Sequence, residues 1–410
     1  MKSWTSIRLP NMNLILPIRS GPEFSARVRS RSSHLVHLRI ALLLLVIAFG
    51  WPILSTSASE VHPSTGSSAA CLTTGQAVWP YSLERPGATA DSGYLQGKEH
   101  QLAGDRQAMI AQLRAAWTRD PGNGDYAQAL ALAYIESREY ALSETVIAGY
   151  KRECGNTALA YAMESELHFQ QRQFSPAYRE AQESLKISAT NPRMHELLGL
   201  IFVVRGDYLA ALPELETAAQ QAPGDPQVRY FYGRALYSSG HYPEALSEFL
   251  ACLKLAPHYV RALENLGLCY EALKEFTKAA EAYQKAIEVR SAELNSKDVE
   301  AYSYYGELLA KLGRNAEATA VLHKALAINP RSFRANYELG RLFLDRGDLG
   351  QAEHYLLEAA TLAPTFSQTY YLIGKIYLKE HRPPDAARYF AVFRELNKIP
   401  TNREFPYPRE

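Results

Sequence analysis

From Gly124 to about residue 400 the apolar positions recur three and four apart in short blocks, each ending at a polar or glycine-containing break. That spacing is the period of an amphipathic helix, and the breaks are turns. The stretch Val228 to Pro257 shows it most plainly, with one apolar block before Ser238-Ser239-Gly240 and a second from Ala245 to Leu255. Neither block is long enough to bury its own apolar face. The pattern returns at Ala262 to Ala286, so each hairpin is expected to cover its face with the next one.

Aligned on this pattern, eight units begin at Gly124, Ala158, Pro192, Pro226, Val260, Val299, Phe333 and Ser367, with steps of 34 residues except for one of 39. Gly199, Gly233, Gly267, Gly306, Gly340 and Gly374 hold the eighth position; Ala211, Ala245, Ala279, Ala318, Ala352 and Ala386 hold the twentieth. Small residues at both places predict a close approach of the two helices of each hairpin. Bulky side chains recur at the seventh position (Leu198, Leu266, Leu339, Ile373), the eleventh (Phe202, Tyr270, Phe343, Tyr377) and the twenty-fourth (Phe249, Tyr283, Leu356, Phe390). Pro223, Pro257, Pro330 and Pro364 follow the second helix and stop it. The first two units are worn: Ala131 and Ser165 replace the glycine, and Ser143 replaces the alanine of the twentieth position.

The motifs L-x2-L-G-x2-Y at Leu263 to Tyr270 and A-x3-Y-x2-A at Ala279 to Ala286 resemble the tetratricopeptide repeat family, and the resemblance spans about residues 124 to 400. It implies an all-α fold, a right-handed superhelical solenoid of antiparallel helix pairs. It also implies the family's usual role, holding a protein or peptide in the concave groove lined by the first helices. The second, fifth, ninth and twelfth positions are expected to face that groove. They place Tyr230, Arg234, Tyr237, Arg261, Arg334, Tyr337, Arg341, Tyr371 and Lys375 there, with Glu264, Glu271, Ser303, Glu307 and Gln368. Arginine offers a planar donor fork and tyrosine a rigid apolar face with a polar end, so an acidic peptide or a C-terminal carboxylate is the expected ligand class. Asn265 is similar to one element of the family's carboxylate clamp, but Arg234 and Glu300 depart from it.

Outside the array the chain changes character. Residues 1–58 carry Lys2, Arg8, Arg19, Arg27, Arg29, Arg31 and Arg39 against Glu23 alone, while the whole chain is only +1. The remainder is therefore slightly acidic, which argues against nucleic acid as a partner. Residues 40–54 form an apolar run whose helix would span about 22 Å, short of the roughly 30 Å hydrocarbon core. It reads either as a cleaved signal peptide or as a retained signal anchor. Both put the solenoid outside the cytoplasm, periplasmic or anchored at an inner membrane, and the resemblance extends to exported bacterial envelope repeat proteins. Residues 59–98, rich in Ser, Thr, Gly and Pro, read as a flexible linker; 99–400 as the solenoid with a helical cap up to Arg119; and 401–410 as a tail. The five extra residues in RSAELNSKDV, ahead of Val299, are expected to lengthen an inter-repeat loop.

Catalytic and metal patterns are missing. There is no C-x2-C, H-E-x2-H, glycine-rich phosphate loop or G-x-S-x-G elbow, and no cofactor is expected. Cys252 and Cys269 read as buried thiols or, after export, as a bridge between neighbouring units. The expected function is thus a non-catalytic scaffold or adaptor. A self-assembling subunit that uses the solenoid as a spacer is the alternative, with an enzyme of unrecognised site a distant third.

Overall fold

The computed structural model describes residues 4–8, 15–19, 71, 106–292 and 296–398. Among them are a short antiparallel ribbon, β1 (Trp4–Arg8) with β2 (Ile15–Arg19), and seventeen helices. No strand was expected in the leader. The expected signal segment at 40–54 and the tail 401–410 lie outside the described residues, as does the 59–98 linker apart from Cys71.

The capping helix is α1 (Arg106–Arg119). Eight hairpins follow: α2 (Gly124–Glu136) with α3 (Tyr140–Cys154), α4 (Ala158–Gln170) with α5 (Phe174–Ile187), α6 (Pro192–Arg205) with α7 (Tyr208–Gln221), and α8 (Pro226–Ser238) with α9 (Tyr242–Leu255). Then come α10 (Val260–Ala272) with α11 (Phe276–Ser291), α12 (Glu300–Lys311) with α13 (Asn315–Ile328), α14 (Phe333–Arg346) with α15 (Leu349–Leu362), and α16 (Ser367–Lys379) with α17 (Pro383–Lys398). Each helix packs on its hairpin partner and on the first helix of the next unit, giving the expected all-α solenoid. Its core is a row of small clusters between units, not one central mass.

The eighth-position glycines do permit close approach, and the side chain nearest to them is the bulky residue of the twenty-fourth position. A Cβ on Gly199, Gly306 or Gly340 would sit 2.5 to 2.6 Å from Leu215, Leu322 or Leu356, the bulky residue of the twenty-fourth position. On Gly233 or Gly374 it would meet the Phe249 or Phe390 ring at 2.9 or 2.7 Å. The large knob of the second helix fills the space the missing side chain leaves.

The worn units solve the same contact with a hydroxyl. Ser143 Oγ donates to the Ala131 carbonyl at 3.1 Å, from the twentieth position to the eighth; Ser165 Oγ donates to the Ala177 carbonyl at 2.7 Å, from the eighth to the twentieth. Both serines are fully buried, and each satisfies itself on the facing backbone.

All eight hairpins turn through a left-handed residue at the fifteenth position. Glycine serves at Gly206, Gly240, Gly313 and Gly347, while Arg138, Arg172, Lys274 and His381 adopt φ of 57 to 63° in the others. Most first helices start on side-chain caps: Asn123, Thr157, Asn191, Asp225 and Ser332 accept from the backbone N–H of the second or third residue of the helix. Tyr259 and Phe366 hold the cap position of α10 and α16 without a capping bond.

The insertion does not act as a longer loop alone. α11 runs on to Ser291, Arg290 pairs with Asp298 at 2.5 Å, and Asp298 accepts the Glu300 N–H at 3.1 Å. The remaining inserted residues, 293–295, lie outside the described residues.

Cys252 and Cys269 follow the first of the two expectations, buried thiols, and do not form the bridge. Cys252 and Cys269 are free and fully buried, and burial pushes both thiols up to about 12. The disulfide joins Cys71 to Cys154, at the end of α3, across a sequence separation of 83. Sequence spacing held no hint of it, because nothing repeats at Cys71. At the other edge of the cap, Trp117 of α1 covers Gly149, where a Cβ would sit 2.6 Å from the indole. This makes α1 the lid of the first unit, as its apolar pattern implied.

Candidate functional site

Successive first helices pack directly on one another, from α2 on α4 through α14 on α16, and successive second helices do so far less. The first helices therefore lie on the inside of the curve, and their side chains line its face.

Two stretches of that face are closed by ion pairs between units. Arg193 at the start of α6 reaches back to Glu166 of α4 at 3.0 and 3.2 Å and sideways to Glu196 at 2.6 Å, and Glu196 accepts from Gln227 of α8 at 3.0 Å. All three charged groups are buried. Burial opposes the Arg193 charge, but Glu166 and Glu196 outweigh it and hold its pKa above the ordinary value. Farther along, Lys311 of α12 bridges Glu271 of α10 at 3.0 Å and Glu307 at 2.9 Å. Arg334 of α14 bonds Glu307 at 3.0 Å, lies 3.5 Å from Glu300, and stacks its guanidinium 4.3 Å from the centre of the Tyr304 ring.

Glu166 and Glu307 hold the ninth position of their units, and Arg193 and Arg334 the second position of the next. One geometric rule thus produces both bridges. It was legible as a pairing of the ninth position with the following second position, a comparison the sequence reading did not make. Between the units of α8 and α10 the same two positions are Arg234 and Arg261, so like charges stand where the others place a pair.

The nine expected groove residues divide by burial. Tyr230 and Tyr337 are core residues, only 3% and 9% exposed, and not the open aromatic faces anticipated. Each ring packs on the aromatic residue at the cap of the next unit: Tyr230 on Tyr259 at 5.2 Å, Tyr337 on Phe366 at 5.3 Å. Both cap residues make no capping bond of their own, and each instead contributes a ring contact to the junction. Tyr237 is half-buried against Tyr242, and burial raises its phenol to about 12. Arg234 lies 5.9 Å from the Tyr230 ring centre, and Arg261 is exposed. Arg341 turns back along its own helix onto the buried Glu338 at 2.6 Å. Tyr371 is exposed, packs beside Phe390 and Phe393, and carries Lys375 at 5.9 Å.

Glu264, fully inside this face, is 7% exposed, and its Oε1 has no hydrogen-bond partner. Burial, then Asp298 and Glu300, raise its pKa to about 8 against the pull of Arg290 and Arg261, so it is largely protonated at neutral pH. No group of three or more His, Cys, Asp or Glu suited to a metal occurs among the described residues.

Models described as tetratricopeptide repeat match residues 163–226, 232–296, 205–251 and 309–376. The chain belongs to the tetratricopeptide repeat family. Among curated proteins it is similar to the TPR repeat-containing protein YpiA of Bacillus subtilis, 24% identical over 60% of this chain and 57% of that protein. It is also similar to Superkiller complex protein 3 of Mus musculus, 26% identical over 43% of this chain and 12% of that protein. The chain thus spans only part of the relatives it matches. Among solved structures, Cut9 with Hcn1 from the APC/C superposes with a TM-score of 0.55 at 16% identity over 66% of this chain and 52% of that one. A tetratricopeptide repeat protein from Parabacteroides merdae gives 0.51 at 18% identity over 60% and 94%. Both likenesses concern the fold. Tetratricopeptide repeat proteins commonly act as non-catalytic interaction scaffolds that bind peptides or proteins.

Proposed function

We propose that this chain is a non-catalytic scaffold that holds a protein or peptide on its inner face, in a compartment outside the cytoplasm. The observation that carries the binding role is the inner face itself. At two junctions its first helices are tied by ion pairs, buried for Glu166–Arg193 and half-buried for Glu307–Arg334, while Arg234, Arg261, Tyr237, Tyr371 and Lys375 remain at least partly exposed along it. A rigid face with rigid aromatic and arginine groups loses little entropy on binding. Reversing Arg341 is a poor probe, since it would strip the buried Glu338 of its partner; the exposed Arg261 is the better one. The extracytoplasmic setting is supported by the Cys71–Cys154 bridge, which persists in oxidising compartments, and by the basic leader with its apolar run.

The experiment is hydrogen exchange on the full chain with a partner recovered by affinity capture. Protection concentrated on α8, α10, α12 and α14 is expected. Protection confined to the second helices would remove the groove as the binding face. It would then favour outer-face assembly, for which the exposed Ile187, Leu209 and Leu255 of the second helices supply apolar surface. Mass mapping without reductant should recover the Cys71–Cys154 linkage; free thiols at both positions in protein from its native compartment would withdraw the support for export.

A further inference from the structure

The stack ends differently from how it runs. In the first seven units the fifth position of the first helix is buried, from 0% exposed at Ser303 to 9% at Tyr337; in the last unit it is Tyr371, 39% exposed. The twelfth position behaves alike, with Leu344 at 2% and its counterpart Leu378 at 49%. Tyr337 and Leu344 are covered because they share a core cluster with Tyr370, Ile373 and Tyr377 of the following first helix, and Tyr337 packs on Phe366 at the cap ahead of that helix. Tyr371 and Leu378 have no following first helix among the described residues. Seven residues apart, they lie on one face of α16 and mark out an apolar strip about 10 Å long.

The second helices restrict what fits there. At the twenty-seventh position Ala218, Cys252, Ala286, Ala325 and Ala359 are fully buried and share clusters with the first helix of the next unit. The last unit carries Phe393 at that position, and its ring packs on Tyr371 of its own hairpin at 5.3 Å. A phenyl group where the stack uses a methyl or a thiol keeps a further helix from the usual approach of about 8 to 10 Å. It blocks a second copy docked in the same manner for the same reason. A single extended segment is thinner than a helix and can lie on the strip beside Phe393.

We propose that the chain's own residues 399–408 occupy this strip, with Phe405 and Tyr407 laid against Tyr371 and Leu378. The segment starts in the right place: α17 ends at Lys398, and Ser367 Oγ, at the start of α16, donates to Asn397 Oδ1 at 2.8 Å. From Ser367, Tyr371 lies about 6 Å and Leu378 about 16 Å along the helix, whereas the seven residues from Lys398 to Phe405 reach up to about 23 Å when extended. Pro406 and Pro408 disfavour helix at Phe405 and Tyr407, and in an extended segment residues two apart share a side, so both rings can face α16. The tether holds them near the strip at an effective concentration on the order of millimolar, at which modest aromatic and apolar contact suffices. The closure of this end holds whether or not the inner face binds a partner.

The test places the photoreactive p-benzoylphenylalanine at Phe405 of the full chain, mixes equal amounts of isotopically light and heavy protein, irradiates, and maps the cross-linked peptides by mass. Cross-links to α16 confined to light–light and heavy–heavy pairs are expected, and Tyr371→Ser with Leu378→Ser should reduce them at least fivefold. Should that pair of changes unfold the last hairpin, hydrogen exchange of Phe405→Ser with Tyr407→Ser gives a second reading that leaves the described core untouched. In that variant the amides from Tyr371 to Leu378 should exchange at least threefold faster than in the wild-type chain, while those of α8 stay the same. Mixed light–heavy cross-links on α16 would assign the strip to a second copy. Cross-links that avoid α16, or exchange in α16 that the serine variant leaves unchanged, would leave the strip without this occupant. Any of these three results overturns the proposal.

Discussion

The inner face of α4 to α8 and that of α8 to α10 are built on the same positions of the same repeat, yet the first is closed and the second is charged. In the first, Arg193 is enclosed by Glu166 and Glu196 and the unit junction needs nothing from outside. In the second, Arg234 and Arg261 share a sign, and burial pushes the carboxyl of Glu264, on the same helix as Arg261, toward its neutral form. A fixed backbone register thus places an ion pair at one junction and two like charges at the equivalent place of another. The contrast also shows where tolerance ends: the closed junction is intolerant of losing one partner, and the charged one should tolerate changes that the fold does not depend on.

The largest effect should come from breaking the closed junction. Arg193→Leu leaves Glu166 and Glu196 buried without their cation and should cost roughly 3 to 5 kcal/mol, measured by denaturant unfolding. Arg261→Gln in the charged junction should cost almost nothing by the same measurement, and a loss as large as that of Arg193→Leu would erase the comparison.

Next comes the pH dependence of the charged junction. The folded-state pKa of Glu264 is raised from 4.5 to about 8, so its contribution is intact below about pH 4.5 and is lost as the pH rises through 8. Stability should fall by roughly 4 kcal/mol across that window, and Glu264→Gln should flatten the fall. Thermal melts of both proteins from about pH 5 to pH 8.5 would decide it; parallel curves would mean that the carboxyl is ionised in the fold. A smaller change, about 1.5 kcal/mol, is expected for Arg334→Gln, because Glu307 keeps Lys311 as a second partner. The smallest concerns neither junction. Lys274→Gly relieves a left-handed residue at φ 63° and should stabilise by about 1 kcal/mol, since glycine already serves at that turn in four other units.

Helix positions, hairpin partners and the capping role of α1 were legible because the hydrophobic period and the breakers act locally, within one unit. The eighth-position glycines were legible as well, but the side chain that fills the space beside them was not. Gly199 meets Leu215 because a second helix crosses its partner with the twenty-fourth position inward, and that depends on a crossing angle the sequence pattern does not print. For the same reason Tyr230 and Tyr337 were placed on the groove: helical phase puts the fifth position on the inner side, and only the aromatic residue at the following cap turns the ring into core. The left-handed fifteenth position was visible in four glycines and hidden in Arg138, Arg172, Lys274 and His381, where the demands of the turn override residue preference. Cys71 with Cys154 had no local signal at all, because a bond across a separation of 83 belongs to no repeat.

That bond gives the chain an unequal response to pulling. Tension applied at the leader and at the far end of the stack passes from Cys71 straight into Cys154, so α1, α2 and α3 sit inside a closed loop that carries no load. About 280 Å of contour length is thereby withheld from any stretching of the oxidised chain. The hairpins from α4 to α17 bear the force in series, and the first unit with its cap stays folded at the end nearer the leader. Reduction would lengthen the tether and expose that unit to the load.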